Sequence, residues 1–157
     1  MSTQQVAFRP QVLGIHHIKL AVSNLDISIA WYERVLGAQR VPELDHIRID
    51  GTRYAAVCRM DDWQGLYVEL RVVEQTRALR ELLWDPITLA VQEAQDLQEW
   101  LTWLERWRTS HSPILVGVRG WILVFEDPDG RRFRIFTRED HGGTEIPSVD
   151  DYWLGEA

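Results

Sequence analysis

Two pairs of contrasting residues stand at matching places in this chain: His17 with Pro86, and Glu69 with Arg134. A histidine and a carboxylate flanking one ligand-sized space can work as a general acid–base pair, the chemistry of an isomerase or lyase. A carboxylate facing an arginine makes a charge-assisted pair instead. The remaining histidines say less. His46, His111 and His141 fit no metal-binding spacing and read as surface or loop residues. The chain has no phosphate-cradling glycine-rich loop, no Gly-x-Ser-x-Gly elbow and no Cys-x-x-Cys pair.

The matching places come from an internal repeat. His17-Ile18-Lys19-Leu20-Ala21-Val22 aligns with Pro86-Ile87-Thr88-Leu89-Ala90-Val91, with four of six positions identical. Gly65-Leu66-Tyr67-Val68-Glu69-Leu70 aligns with Gly130-Arg131-Arg132-Phe133-Arg134-Ile135. Each opening segment alternates as a strand does and precedes a helix. The first helix is expected from Leu25 to Leu36, with Ser23 or Asn24 as cap and Gly37 as stop. The second is expected from about Ala94 to Trp107, where Leu97, Trp100, Leu101, Leu104 and Trp107 form one apolar stripe for packing on a sheet. Trp103 falls off that stripe. Two strands fit between helix and last strand in each half: 39–50 and 53–60, turning at Asp50-Gly51, then 114–118 and 121–126, turning at Arg119-Gly120. Residues 73–84 suit a short connecting helix. The expected fold is α+β, β-α-β-β-β twice, its two modules (about 12–75 and 85–140) pairing into one domain of residues 11–140 with a cup-shaped mixed sheet. A tail, 141–157, follows.

Gly14-Ile15-His16-His17-Ile18-Lys19-Leu20-Ala21-Val22-Ser23-Asn24-Leu25-Asp26, then Trp31-Tyr32-Glu33-Arg34-Val35-Leu36-Gly37, resembles the opening of a vicinal oxygen chelate protein, of the glyoxalase, bleomycin-resistance and dioxygenase group. Phe125-Glu126-Asp127-Pro128-Asp129-Gly130 before the last strand is similar to that group's second module. The resemblance covers about 11–138. It implies divalent-metal ligands on the first and last strands of each module, and commonly a homodimer. Carried over, His17 and Glu69 would be ligands from the first module. The second offers Pro86, which has no donor, and Arg134, which repels a cation. Two protein ligands do not enclose a zinc ion. The expectation is therefore no cofactor, with a divalent metal held only if donors come from elsewhere. His16 is expected to point away from His17's face.

Strand parity gathers His17, Lys19, Ala21, Tyr67, Glu69, Arg71, Pro86, Thr88, Ala90, Arg132, Arg134 and Phe136 on one side. The opposite parity is almost wholly apolar and belongs under the helices. Of the polar side, His17, Lys19, Tyr67, Glu69, Thr88, Arg132, Arg134 and Phe136 are the expected ligand-binding residues, with Glu69 and Arg134 meeting across the cup. Positive charge beside aromatic rings suits a small organic ligand bearing a carboxylate, phosphate or other electron-rich oxygen.

Bulk properties narrow the classes. A net charge of −7 argues against a general nucleic-acid surface. No apolar run approaches a membrane span, and the first ten residues lack a signal-peptide core, so a cytoplasmic protein is expected. Lone Cys58, in an apolar run, reads as a buried small residue. Three functions stay open: a binding protein that sequesters a small aromatic or anionic compound, as the bleomycin-resistance branch does; a metal-free isomerase or lyase using His17 and Glu69; and a metal-dependent lyase or dioxygenase. The tail, with Tyr152-Trp153-Leu154, suits docking on its own domain or on a second subunit.

Overall fold

The computed structural model describes residues 15–73, 87–150 and 152–154. Pro86 and the expected helix at 73–84 therefore fall outside the described residues, apart from Val73. Module one runs β1 (His17–Val22), α1 (Leu25–Leu36), β2 (Gln39–Arg40), β3 (His46–Ile47), β4 (Arg53–Met60) and β5 (Leu66–Val72). Module two runs β6 (Ile87–Val91), α2 (Ala94–Arg106), β7 (Leu115–Val116), β8 (Trp121–Glu126) and β9 (Arg132–Thr137). Their sheets share one topology: β1-β5-β4-β2, with β3 also on β4, and β6-β9-β8-β7. In each, the first strand lies parallel to the last.

Local chemistry sets these elements. Asn24, not Ser23, caps α1 by accepting from Ile27 N at 3.1 Å, and Gly37 ends it at φ 66°. Glu93 and Asp96 form a capping box on α2. The single strand expected at 39–50 is broken. Pro42 opens a 3-10 turn, and the Asp45 carboxylate takes Arg40 in a two-pronged contact (2.6 and 3.0 Å) together with Val57 N. Burial pushes the Asp45 carboxyl up, but the hydrogen bonds from Arg40 and Val57 and the charges of Arg40 and Arg53 outweigh it and hold the group below its ordinary value. The strand expected at 114–118 shortens to Leu115–Val116.

Parity divides the sheets as expected. Leu20, Val22, Val68, Leu70, Phe133 and Ile135 are buried, and they join one core with α1 and α2. On the α2 stripe, Leu97 and Leu104 are fully buried, while Trp100, Leu101 and Trp107 pack against that core. Cys58 is buried. Trp103, off the stripe, donates from Nε1 to Val35 O and so ties α2 to α1.

The Asp127-Pro128-Asp129-Gly130 turn clamps the modules together. Asp127 accepts from the Tyr32 hydroxyl at 2.9 Å and from Arg131 Nη1 at 3.0 Å. Arg131 Nη2 donates to Ala21 O, and the Asp129 carboxylate accepts from Ser23 N. Burial pushes the Asp127 carboxyl up against the pull of Arg131. The Tyr32 hydroxyl rises too, through burial and then the Asp127 charge, and so stays a donor. Trp31 completes the joint against Phe125 and Phe133, with ring centroids 6.2 Å away in each case.

Candidate functional site

The polar face of module one is built on a buried carboxylate. In the parallel register of β1 and β5, Lys19 stands beside Glu69 and His17 beside Tyr67. Glu69 is only 4% exposed. Its carboxylate takes Arg71 Nε at 2.5 Å and lies 3.6 Å from Lys19 Nζ. Arg71 is two residues along the same strand, so alternation brings both side chains to one face. Arg71 also donates from Nη2 to His46 Nδ1 at 3.2 Å, which makes that ring nitrogen an acceptor. Its guanidinium lies 5.4 Å from the centre of the Tyr54 ring, which Arg48 also covers at 5.5 Å.

His17 lies outside this network. It is exposed, and its Nδ1 stands 2.9 Å from His16 Nδ1, one ring donating to the other. The expected divergence of the two rings fails because His16 precedes β1, where strand alternation no longer applies. Among the described residues, no hydrogen bond or ion pair joins His17 to Glu69. The carboxylate is spoken for by Arg71 and Lys19.

The polar face of module two has a different character. Thr88 is exposed and stands beside Arg134 in the register of β6 with β9, while Phe136 stands beside Ala90. From β8, Ile122, Val124 and Glu126 point the same way, opposite Phe136, Arg134 and Arg132. Ile122 and Val124 are buried in a second small cluster with Leu115, Phe136, Trp153 and Leu154. Arg132 contacts Glu126 at 3.4 Å, and its guanidinium lies 4.7 Å from the Tyr152 ring centre and 5.6 Å from that of Trp153. Arg134 Nη2 donates to Leu154 O at 3.5 Å. The tail thus docks on its own chain.

The expected pairing of Glu69 with Arg134 does not form. Among the described residues Glu69 meets Lys19, Arg71 and His46, because those neighbours share its sheet and Arg134 sits on the other. Arg71 and Arg132 do not run free to solvent as long cations often do; each is held by a carboxylate and an aromatic ring. Sequence reasoning missed His46 and Tyr54, and it expected the Tyr152-Trp153-Leu154 anchor to dock without naming Arg132 as its partner. His46 lay within what read as one long strand, and its place beside Glu69 follows only once Pro42 and Asp45 break that strand. The signal for the tail was its charge: 141–157 holds acids and no Lys or Arg, opposite the basic β9. His141, expected at the surface, is buried; Nε2 donates to Gly117 O and Nδ1 accepts from Gly143 N.

Among the described residues, a divalent metal at the family's position finds no fitting donor set. The Glu69 carboxylate already lies against two cations, Lys19 and Arg71, and Arg134 stands at the place of the second acid. Among the described residues no three His, Cys, Asp or Glu side chains converge as ligands would. A cleft of about 490 Å³ lies elsewhere, between the end of α1 and the Trp100–Trp103 side of α2. Its Asp96 is already used in the α2 cap. Among the described residues no helix is long and apolar enough to cross a membrane.

The profile of the Glyoxalase/Bleomycin resistance protein/Dioxygenase superfamily matches residues 14–142. Among solved structures, the chain is similar to a glyoxylase/bleomycin resistance protein/dioxygenase domain from Frankia, with 24% identity over 84% of this chain and 96% of that one, TM-score 0.61. It is also similar to the genomically encoded fosfomycin resistance protein FosX from Listeria monocytogenes, with 18% identity over 81% and 94%, TM-score 0.63. A FosX mutant complexed with Mn(II) and 1S,2S-dihydroxypropylphosphonic acid superposes at TM-score 0.64, with 16% identity over 81% and 93%. No curated protein matches the chain. These likenesses establish the fold.

Proposed function

This chain belongs to the glyoxalase/bleomycin resistance protein/dioxygenase superfamily, and from that premise we propose that it binds a small anionic or aromatic compound without a metal. It sequesters that compound, as bleomycin-resistance proteins do, and works as a cytoplasmic homodimer. The observation that carries this reading is the state of Glu69. A carboxylate only 4% exposed and held by Lys19 and Arg71 serves charge balance, not metal ligation. Around it and on β9 the cations Lys19, Arg71, Arg132 and Arg134 outnumber the carboxylates Glu69 and Glu126, and Tyr67 and Phe136 supply aromatic surface. A carboxylate or phosphonate on a planar body matches that lining. The test combines metal analysis with calorimetry, using indole-3-acetate as an anionic aromatic probe. Protein dialysed against chelator should hold no stoichiometric Fe, Mn, Ni or Zn, and Arg134→Ala should weaken the probe about tenfold. Retained stoichiometric metal defeats the reading.

The second reading is a lyase, isomerase or dioxygenase using His17 and Glu69, and the likeness to FosX, seen with Mn(II), favours it. It requires that His17→Ala and Glu69→Gln each abolish turnover while ligand binding survives.

A further inference from the structure

The tail of this chain lies on the residues that the binding reading assigns to the ligand. It is built in sections. Buried His141 anchors it through Gly117 O and Gly143 N, with its ring edge-on to Trp121 at 5.5 Å. Gly142 and Gly143 follow at φ 64° and 75°, left-handed values that glycine adopts without strain and that turn the chain back over the sheet. Ser148 then pairs with the edge of β7: its N–H donates to Val116 O, and its hydroxyl accepts from Val116 N, both at 2.8 Å. Asp150 closes a turn by accepting from Trp153 N on its carboxylate and from Leu154 N on its carbonyl, both at 2.9 Å. That turn sets Tyr152 and Trp153 on Arg132, and Leu154 O on Arg134. The Tyr152 hydroxyl donates to Glu126 at 3.2 Å, and Trp153 and Leu154 cover Ile122, Val124 and Phe136.

We propose that this segment is a strap occupying module two's polar face as an internal pseudo-ligand, and that a ligand must displace it. The proposal rests on the binding reading above and deepens it. The strap presents aromatic rings and a carbonyl oxygen to Arg132 and Arg134, on a segment carrying Glu145, Asp150, Asp151 and Glu156 with no Lys or Arg. That is the chemistry of an anionic aromatic compound. The ligand class it selects is therefore one that outdoes an indole–carbonyl pair on two arginines, a planar ring bearing a full carboxylate, phosphate or sulfonate. The contacts are few and half-exposed, Tyr152 being 58% exposed, so the strap holds the face without sealing it. Tethering keeps its local concentration high and its release reversible.

The test uses the full chain and indole-3-acetate. A strap docked about nine-tenths of the time leaves one molecule in ten open, so Tyr152→Ser with Trp153→Ser should tighten the probe about tenfold. Adding Arg132→Gln should cancel that gain. A thermal melt checks that the double variant is folded. Hydrogen exchange on the unaltered chain is the second measurement: the amides of Trp153 and Leu154 should lose protection as the probe saturates. Equal affinity for unaltered chain and double variant overturns the strap alone and leaves the binding reading standing. If the probe binds neither form, both fall together. Undiminished protection of those two amides at saturation also overturns the strap.

Discussion

Changing Glu69 to Gln keeps the shape of the buried side chain and removes its charge, and two quantities should respond in opposite directions. Stability should fall. The 2.5 Å contact with Arg71 and the 3.6 Å contact with Lys19 lose their charge component. Lys19 is 52% exposed and Arg71 35%, so both cations recover much of their hydration. The cost is then about 1–2 kcal/mol, less than for breaking a fully buried pair. For a chain of this length that lowers Tm by about 2–8 °C. Binding of an anion to the same face should strengthen. Taking a separation of about 7 Å as an order-of-magnitude figure, removing a unit negative charge changes the ligand's energy by roughly 0.6–1.2 kcal/mol at an effective dielectric between about 80 and 40, or about three- to eightfold in affinity. Thermal melts give the first quantity, and calorimetry with indole-3-acetate at low salt gives the second. A folded variant that binds the probe more weakly would refute the charge-balance role of Glu69, because a ligand-contacting acid or a metal ligand loses binding when neutralised.

Tyr32→Phe removes the hydroxyl that Asp127 accepts at 2.9 Å in a buried site, and urea unfolding should show a loss of about 1.5–3 kcal/mol. Asp45 should appear in the acid limb of stability. Its folded-state pKa is depressed, so its contribution is fully present above the unfolded carboxylate value and is lost as pH falls through the folded one. Melts between pH 2 and about 5 should therefore be steeper for the unaltered chain than for Asp45→Asn. Parallel curves would remove Asp45 from the account.

The elements that position the site were legible because their signals are local. The periods of 2 and 3.6 residues, Asn24, Gly37 and the doubled strand pattern place β1, α1, β4, α2 and β8 within a residue or so of where the structure has them. Parity likewise assigned the apolar faces correctly, since burial of Val68, Leu70, Phe133 and Ile135 follows from alternation alone. Pairings of charge were harder to read. Glu69 had several cations within reach of its face, and only the register of β5 with β1 selects Lys19 and Arg71 over Arg134, while the bend at Asp45 brings His46 onto Arg71. Burial of His141 depends on a turn between β7 and β8 to which it is hydrogen-bonded 24 residues away. No periodicity carries such information.

The clamp between the modules bears on how the protein is made. The partners of Trp31 and Tyr32, namely Phe125, Asp127 and Phe133, lie roughly a hundred residues further along the chain. Once β5 ends at Val72, about 60 residues remain to be made before Phe133, so at about 5–20 residues per second the nascent first module waits about 3–12 s with that aromatic face uncovered. Module one can form its own sheet in that time, since β1, β4 and β5 are already present. Until the Asp127–Gly130 turn is translated, it offers a sticky flank that a chaperone can hold and that a neighbouring nascent chain can foul.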